Sequence, residues 1–208
     1  MKPSRAKPSS EPPTGSDWPV TALAAAGLVV SAYLTWTKWT GATGLFCETG
    51  SGCDVVQASR YAMFLGLPTA AWGVLLYALV GGLALAGLTP RRWVAAYALA
   101  VAGVAFSAYL TYLSVFELGA ACPYCLADAA IAATLLLALL VRRPPATGRR
   151  APTRRNRLIA IGAAMALVTV VFGMGVFVTG APTGSSAYQE SLARHLAASG
   201  AIFYGAYW

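Results

Sequence analysis

Charged side chains are scarce in this chain of 208 residues, where Asp, Glu, Lys and Arg together make up only 11% of the sequence. Soluble domains carry about a quarter charged residues, so the scarcity excludes an ordinary soluble fold. Strands of alternating apolar and polar residues are also missing, which excludes a membrane β-barrel. Apolar side chains are abundant instead, at 58% of the total. The composition therefore predicts an all-α integral membrane protein.

Five apolar segments reach, or nearly reach, the length of about 20 helical residues that crosses a bilayer. They are Trp18–Trp39, Thr69–Leu88, Trp93–Leu118, Pro123–Val141 and Leu158–Val178. These segments predict a bundle of transmembrane helices, with residues 158–179 as the fifth.

Positive charge is distributed unevenly, with 15 Lys and Arg against 7 acidic residues and a net charge of +8. Most of these cations fall in the polar tail 1–17, at Arg91 and Arg92, and in the linker 142–157. The positive-inside rule places all three segments on the cytoplasmic side. We therefore expect a disordered cytoplasmic tail at 1–17, and a basic linker that sets topology and touches the lipid bilayer. Nucleic-acid binding is not expected.

All four cysteines then lie on the outer side of the membrane. Cys47 and Cys53 belong to the loop between the first two spans, and Cys122 and Cys125 stand where the fourth span begins. An oxidising compartment favours disulfide chemistry over reduced thiols. Three interpretations remain open, namely structural disulfides, a tetrahedral zinc site and a redox relay. A membrane scaffold or zinc-binding protein with structural cysteines is thus the alternative to an enzyme.

Spacing and setting favour the redox interpretation. In CPYC, at 122–125, Pro123 opens the helix and Cys122 stands near its N-cap, where backbone amides and the helix dipole lower the pKa of a thiol. A disulfide across two intervening residues closes a very small loop and stabilises little, so it is better suited to opening and closing. The residues at 54–66 predict an amphipathic lid helix across the outer end of the bundle.

The order of these motifs resembles the vitamin K epoxide reductase family. The resemblance covers residues 18–141 and rests on Cys47 and Cys53, Ser59 six residues later, LGLPTAAWG at 65–73, and CPYC at the head of a span. It implies that residues 18–141 form a four-helix transmembrane catalytic core with an outer loop, and that this core does not require the fifth helix. It also implies a thiol oxidoreductase that drives disulfide bond formation in exported proteins. Electrons would pass from a thioredoxin-like partner through Cys47/Cys53 to Cys122/Cys125, and then to a membrane quinone, either ubiquinone or menaquinone.

The resemblance also implies a role for each site residue. Cys125 would face the quinone, Cys122 would be attacked by Cys53, and Cys47 would exchange with the external dithiol. Ser59 matches the family's hydroxyl position near the active cysteines. Asp128 lies one helical turn beyond Cys125, and an ionisable group within a span predicts a function, here proton delivery to the quinone or tuning of Cys125. The alternative for Asp128 is a carboxylate that is merely hydrogen-bonded near the interface.

Two features depart from or extend the family pattern. Thr69 and Ala129 stand where vertebrate members have the Asn and Tyr that hold vitamin K, so a simple quinone is favoured over the epoxide.

Residues 180–208 read as a linker and the incomplete start of a thioredoxin-like domain, as in some bacterial members, with a helix at 187–200 and a strand at 201–208. We therefore expect a bacterial inner membrane with the cysteines on the periplasmic or extracellular side. His195, the single histidine, is expected at the surface.

Overall fold

The computed structural model describes residues 17–41, 51–145, 152–179 and 187–200. Within these ranges the chain forms seven α-helices and one small hairpin. The helices are α1 (Trp18–Thr40), α2 (Gly52–Ala58), α3 (Thr69–Leu85), α4 (Pro90–Tyr112), α5 (Pro123–Val141), α6 (Arg155–Thr179) and α7 (Ala187–Ala198). The hairpin pairs β1 (Met63–Phe64) with β2 (Leu67–Pro68) in antiparallel register. A 3₁₀ turn covers Arg60–Ala62, and a π-helical turn, Leu113–Glu117, extends α4.

Four of the helices are long and apolar enough to cross a membrane, namely α1, α4 with its π-helical extension, α5 and α6. The helix α3 is shorter, at 17 residues. At about 1.5 Å per residue it rises roughly 26 Å, which is at the lower end of the spanning range. All five lie where the sequence predicts spans, so the prediction of an all-α, multi-pass membrane bundle is confirmed.

The spans begin and end at residues whose chemistry requires it. Pro19, Pro90 and Pro123 occupy the first or second position of α1, α4 and α5. Proline has no N–H to donate and its φ is preset for a helix, so it is well placed there. The helix α1 ends at Gly41, whose φ of 66° is a left-handed conformation that glycine adopts at little cost.

Two hydrophobic clusters divide the bundle along its length. The first, which we call the tight cluster, joins the five spanning helices and extends from the end opposite the cysteines up to Tyr77. Its buried members are Val20, Tyr77, Val80, Ala84, Trp93, Ala96, Tyr97, Ala100, Leu135, Leu139 and Leu158. Trp93 is fully buried, and its indole N–H donates to the carbonyl of Leu139 at 3.0 Å. Tyr97 stacks on Trp93 and its hydroxyl lies 3.3 Å from the carbonyl of Leu158, which joins α6 to α4.

The second, which we call the aromatic cluster, lies toward the cysteine end. It consists of buried Tyr61, Phe64, Leu113 and Phe177 with Trp72, Phe106, Leu110, Leu118, Tyr109 and Val176 packed against them. Phe64 of the hairpin makes edge contacts with the rings of Trp72 and Phe106. The loop between α1 and α3 is therefore anchored in the bundle by its aromatic side chains.

The predicted lid helix at 54–66 is wrong in extent, because α2 ends at Ala58. Ser59 is extended, with ψ at 160°, and its hydroxyl donates to the carbonyl of Val56 at 2.7 Å. Serine side chains that bond to nearby backbone compete with helix continuation in this way. Farther on, Leu65 and Gly66 both have positive φ and reverse the chain in the hairpin. The Lys38 ammonium donates to the carbonyl of Gln57 at 2.5 Å, so the last turn of α2 is held against the end of α1.

Candidate redox site

Cys122 and Cys125 stand at the beginning of α5. Cys122 is the N-cap residue with extended backbone, and its sulfur accepts the backbone N–H of Cys125 at 3.4 Å. An N-cap acceptor satisfies one of the amides that a helix leaves unpaired at its start. Cys122 is buried, whereas Cys125 is half-buried and lines a cavity inside the bundle. One sulfur of the pair therefore faces Cys53 of α2, and the other faces the interior of the bundle.

The surroundings of Cys122 favour its thiolate form. The thiol of Cys125 donates to the sulfur of Cys122 and lowers the pKa of Cys122 below the ordinary thiol value. The backbone amides of Cys125 and Tyr124 act in the same direction, and burial acts in the opposite one. A thiolate is the nucleophilic form of cysteine and also the better leaving group in exchange. Cys122 is thus equipped for thiol–disulfide exchange.

Cys53 of α2 lies against Cys122, where the loop packs on the bundle. The two sulfurs are 3.8 Å apart, and both residues are almost fully buried. Cys53 is disulfide-bonded, whereas Cys122 and Cys125 are free thiols. Exchange requires a thiolate in contact with a disulfide sulfur, and this geometry provides that contact. Cys47 lies outside the described residues.

Glycine at position 52 makes this contact possible. A β-carbon there would lie 2.2 Å from the carbonyl oxygen of Ala121, the residue that precedes Cys122. No side chain fits such a distance without displacing the backbone of one segment. The first turn of α2 therefore packs directly on the segment that leads into α5, which brings the two sulfurs together.

A cavity of about 420 Å³ lies behind Cys125, enclosed by α1, α3, α4, α5 and α6 and covered by the loop that follows α2. Its walls are mainly apolar and aromatic. Its polar lining residues are Ser31, Gln57, Tyr61, Thr69, Tyr77, Ser107, Thr111, Ser114, Asp128 and Thr169. An apolar cavity with a few polar groups is the usual form of a small-molecule site.

The loop that follows α2 and covers this cavity is held in place by several interactions. Thr69 donates to the carbonyl of Tyr61 at 2.7 Å, and the indole of Trp72 donates to the carbonyl of Phe64 at 3.1 Å. Arg60 forms an exposed ion pair with Glu117 of the π-helical turn at 2.9 Å. The cover is therefore held to α3 by backbone-directed hydrogen bonds and to α4 by charge.

The helix α6, which is the fifth predicted span, lines part of the cavity. Val168, Thr169 and Phe172 of α6 line the cavity. Phe177, near the last turn of the same helix, packs in the aromatic cluster with Tyr61. The sequence alone does not reveal this, because α6 is apolar on every side and carries no motif.

The remaining predicted residues fall in different places. Asp128 lines the cavity and accepts from Tyr77 at 3.0 Å and from Ser31 at 3.4 Å. Ser59 caps the end of α2 and is not among the cavity-lining residues that the structure describes. Thr69 lines the cavity, and His195 is exposed on α7. The roles predicted for these residues remain predictions.

Sequence reasoning missed the hydroxyl groups around Asp128. Ser31, Tyr77 and Ser107 lie in three different spans and meet at this carboxyl group. The available signal was their polarity within apolar helices. Within the described ranges, no three His, Cys, Asp or Glu side chains are arranged to hold a metal ion. The four-cysteine zinc alternative needs Cys47, which those ranges do not include.

The structure is thus a bundle of membrane helices with a cysteine pair at one helix start, where one sulfur lies against disulfide-bonded Cys53 and the other lines an interior cavity. The sequence model of the vitamin K epoxide reductase family matches residues 18–141, and the chain belongs to this family. These bounds are those predicted for the four-helix core, so the resemblance is confirmed.

One curated relative is the thiol-disulfide oxidoreductase LTO1 of Arabidopsis thaliana. The chain is 27% identical to it in an alignment that covers 86% of this chain and 53% of LTO1. The chain thus spans about half the length of this relative.

Proposed function

We propose that this protein is a thiol:quinone oxidoreductase that drives disulfide bond formation in exported proteins. The observation that carries the proposal is the position of the Cys122/Cys125 pair. The sulfur of Cys122 lies 3.8 Å from that of disulfide-bonded Cys53, and Cys125 lines the interior cavity. The pair therefore stands between a site of thiol exchange and a space that admits an apolar electron acceptor.

Electrons enter through the loop cysteines. A thioredoxin-like protein or domain, itself reduced by substrate thiols, reduces the Cys47–Cys53 disulfide. The Cys53 thiolate attacks the Cys122–Cys125 disulfide at Cys122, which forms a mixed disulfide and releases Cys125. Cys47 then attacks Cys53, which re-forms the loop disulfide and releases Cys122 as the thiolate that its surroundings stabilise. Two electrons move inward in each cycle.

The oxidation states of the cysteines in the structure fit the state that follows electron transfer from the loop cysteines to the Cys122/Cys125 pair. Cys53 is disulfide-bonded and the Cys122/Cys125 pair is reduced. Oxidation of the inner pair then delivers two electrons to the cavity. A quinone, ubiquinone or menaquinone, supplies a two-electron, two-proton acceptor there, and the family is named for reduction of a quinone epoxide.

Access to the cavity favours a lipid-soluble acceptor. Leu75 and Leu79 of α3, together with Val168 and Phe172 of α6, line the cavity and are about half exposed on the bundle surface. In a bilayer this surface faces lipid. A membrane quinone can therefore enter sideways with its ring toward Cys125, while a polar acceptor would have to cross the fastened cover.

The orientation follows from charge. Arg92, Arg142 and Arg143 lie at the end of the bundle opposite the cysteines, and Arg142 pairs with Asp17 at 2.9 Å. The positive-inside rule makes this end cytoplasmic. In a bacterial inner membrane the cysteines then face the periplasm or the cell exterior, where exported proteins acquire disulfides.

Quinone reduction by the purified full-length chain tests the proposal. The chain, in detergent or lipid, is mixed with a reduced thioredoxin-like protein and a short-chain ubiquinone or menaquinone analogue. We expect quinone reduction that depends on the thiol partner and is abolished by Cys125→Ala. Failure with both quinones and several active partners, or stoichiometric zinc in the purified protein, contradicts the proposal and supports the zinc-binding or scaffold alternative.

A further inference from the structure

The carboxyl group of Asp128 is the centre of a hydrogen-bond network within the membrane-spanning part of the bundle. The Tyr77 hydroxyl of α3 donates to it at 3.0 Å, and the Ser31 hydroxyl of α1 lies within hydrogen-bond distance at 3.4 Å. Ser107 of α4 interacts with the same carboxyl group. Three spans thus direct hydroxyl groups at one side chain of a fourth, α5.

The network opens onto the cavity. Asp128, its three hydroxyl partners and Cys125 all line this space. Asp128 follows Cys125 by three residues on α5, so the two side chains share a face one turn apart. A ligand whose ring contacts the sulfur of Cys125 is therefore within reach of the carboxyl group.

No cation accompanies this carboxyl group among the described residues, because neither of their ion pairs includes Asp128. Hydroxyl donors offset only part of the cost of a buried carboxylate, and ionisable groups in spans are retained chiefly where they function. A purely structural hydrogen-bond hub does not need an ionisable group, since an amide oxygen accepts two such bonds and the amide NH2 can donate to a third hydroxyl. The chemistry that requires a carboxyl group is proton transfer.

Two glycines allow the network to form. A β-carbon at Gly27 of α1 would lie 2.4 Å from the ring of Tyr77, and one at Gly73 of α3 would lie 2.7 Å from the hydroxyl of Ser31. Neither distance is tolerated by real side chains. The two donors that hold Asp128 therefore each occupy space that a glycine on the facing helix leaves open. By contrast, a β-carbon at Gly82, also in α3, would meet nothing within 4 Å.

We propose that Asp128 transfers protons at the quinone site and that Tyr77 and Ser31 are its positioning residues. This inference rests on the proposed function. Asp128 donates a proton to a carbonyl oxygen of the quinone, and its carboxylate takes the proton that the Cys125 thiol loses as the cysteine pair forms its disulfide and gives the quinone two electrons. Oxidation of the Cys122 thiolate and the Cys125 thiol to a disulfide releases two electrons and one proton. The second proton that the quinol needs comes from water at the cysteine end, where Cys122 released one on ionising.

Substitution of Asp128→Asn tests this inference, since asparagine keeps the shape and an acceptor oxygen but cannot carry the proton. We expect kcat for quinone reduction to fall about 100-fold, because a positioned general acid contributes at least that much. KM for the quinone should change less than about threefold, since little ground-state binding is lost. Asp128→Glu should recover a large part of kcat. Exchange between the reduced partner and the Cys53 disulfide, measured without quinone, should match wild type and report an intact fold.

Substitution of two glycines of α3, Gly73 and Gly82, provides a second test of the role of Asp128. Gly73→Ala displaces the Ser31 hydroxyl and should lower kcat roughly tenfold, while Gly82→Ala on the same helix should leave it unchanged. Asp128→Asn or Gly73→Ala with kcat within threefold of wild type overturns the inference. If Asp128→Asn does not fold, the Gly73/Gly82 comparison decides it. A wild-type protein that reduces no quinone contradicts the proposed function instead, so the two failures are distinguishable.

Discussion

The two ends of the bundle are built in different ways. At the end opposite the cysteines, large apolar side chains such as Trp93, Leu135 and Leu139 are fully buried. At the cysteine end the packing is interrupted by a cavity of about 420 Å³, and the cover is a short helix, a turn and a hairpin. Local stability follows buried apolar contacts, and binding elements come from the less stable parts of a protein. We therefore assign stability to the apolar members of the tight cluster and chemistry to the cysteine end, whose cavity Tyr77 also lines.

The largest expected effect is at the cysteine end and leaves stability almost unchanged. Cys122→Ser should abolish quinone-dependent thiol oxidation, because a hydroxyl cannot form the mixed disulfide with Cys53. Serine is itself a good N-cap residue, so the start of α5 should persist. Activity assays and thermal unfolding of the same preparation check both parts. A large loss of thermal stability would show that the cysteine end contributes more to folding than the comparison allows.

In the tight cluster, a substitution is expected to lower stability and to leave the activity of the folded protein almost unchanged. Trp93→Ala removes a fully buried ring and its hydrogen bond to Leu139, and should cost about 3 kcal/mol of unfolding free energy, as large-to-small core substitutions do. The turnover of the folded fraction should stay near wild type. Denaturant unfolding in detergent measures the loss, with Trp18→Ala as the matched control because Trp18 is 74% exposed. Equal losses in the two variants would contradict the assignment of stability to this cluster.

A smaller effect, on the rate of thiol exchange, is expected where α2 packs on the segment that leads into α5. Gly52→Ala places a methyl group against the carbonyl of Ala121 and should displace α2 from α5. Exchange between Cys53 and Cys122 should then slow roughly tenfold, since small misplacements of reacting groups are costly. Rapid-mixing measurement of thiol exchange checks this, and Gly175→Ala, where the added carbon meets nothing within 4 Å, is the control.

The smallest expected effect is a change in the pH at which the Cys122 thiol ionises. The thiol of Cys125 lowers the pKa of Cys122, so the Cys122 thiolate persists to lower pH than an ordinary thiolate. Cys125→Ala removes this donor, and the midpoint of thiolate formation should rise, by roughly one pH unit for a lost hydrogen bond. Ultraviolet absorbance of the thiolate against pH measures the midpoint, and Cys122→Ser should lack the transition. A midpoint that does not rise would mean that the backbone amides alone stabilise the thiolate.

The sequence predicts the spans well, because apolar length and initial proline are local signals. Pro123–Val141 is predicted to the residue, and α1 differs by one residue at its end. The extent of the lid was missed because its end depends on the Ser59 side chain and on positive φ at Leu65, neither of which interrupts the amphipathic pattern. The partners of Asp128 could not be predicted, since they depend on how closely α1 and α3 approach at Gly27 and Gly73.

The N-cap position of Cys122 has a consequence for redox potential. Its sulfur accepts the Cys125 amide in the reduced protein, and a sulfur within a disulfide carries no charge and is a weaker acceptor. The first turn of α5 is therefore better capped when the pair is reduced. If the difference equals an ordinary N-cap bond, about 1 kcal/mol, it raises the reduction potential of the pair by about 20 mV. The start of one helix thus makes the inner pair a stronger oxidant of the loop cysteines.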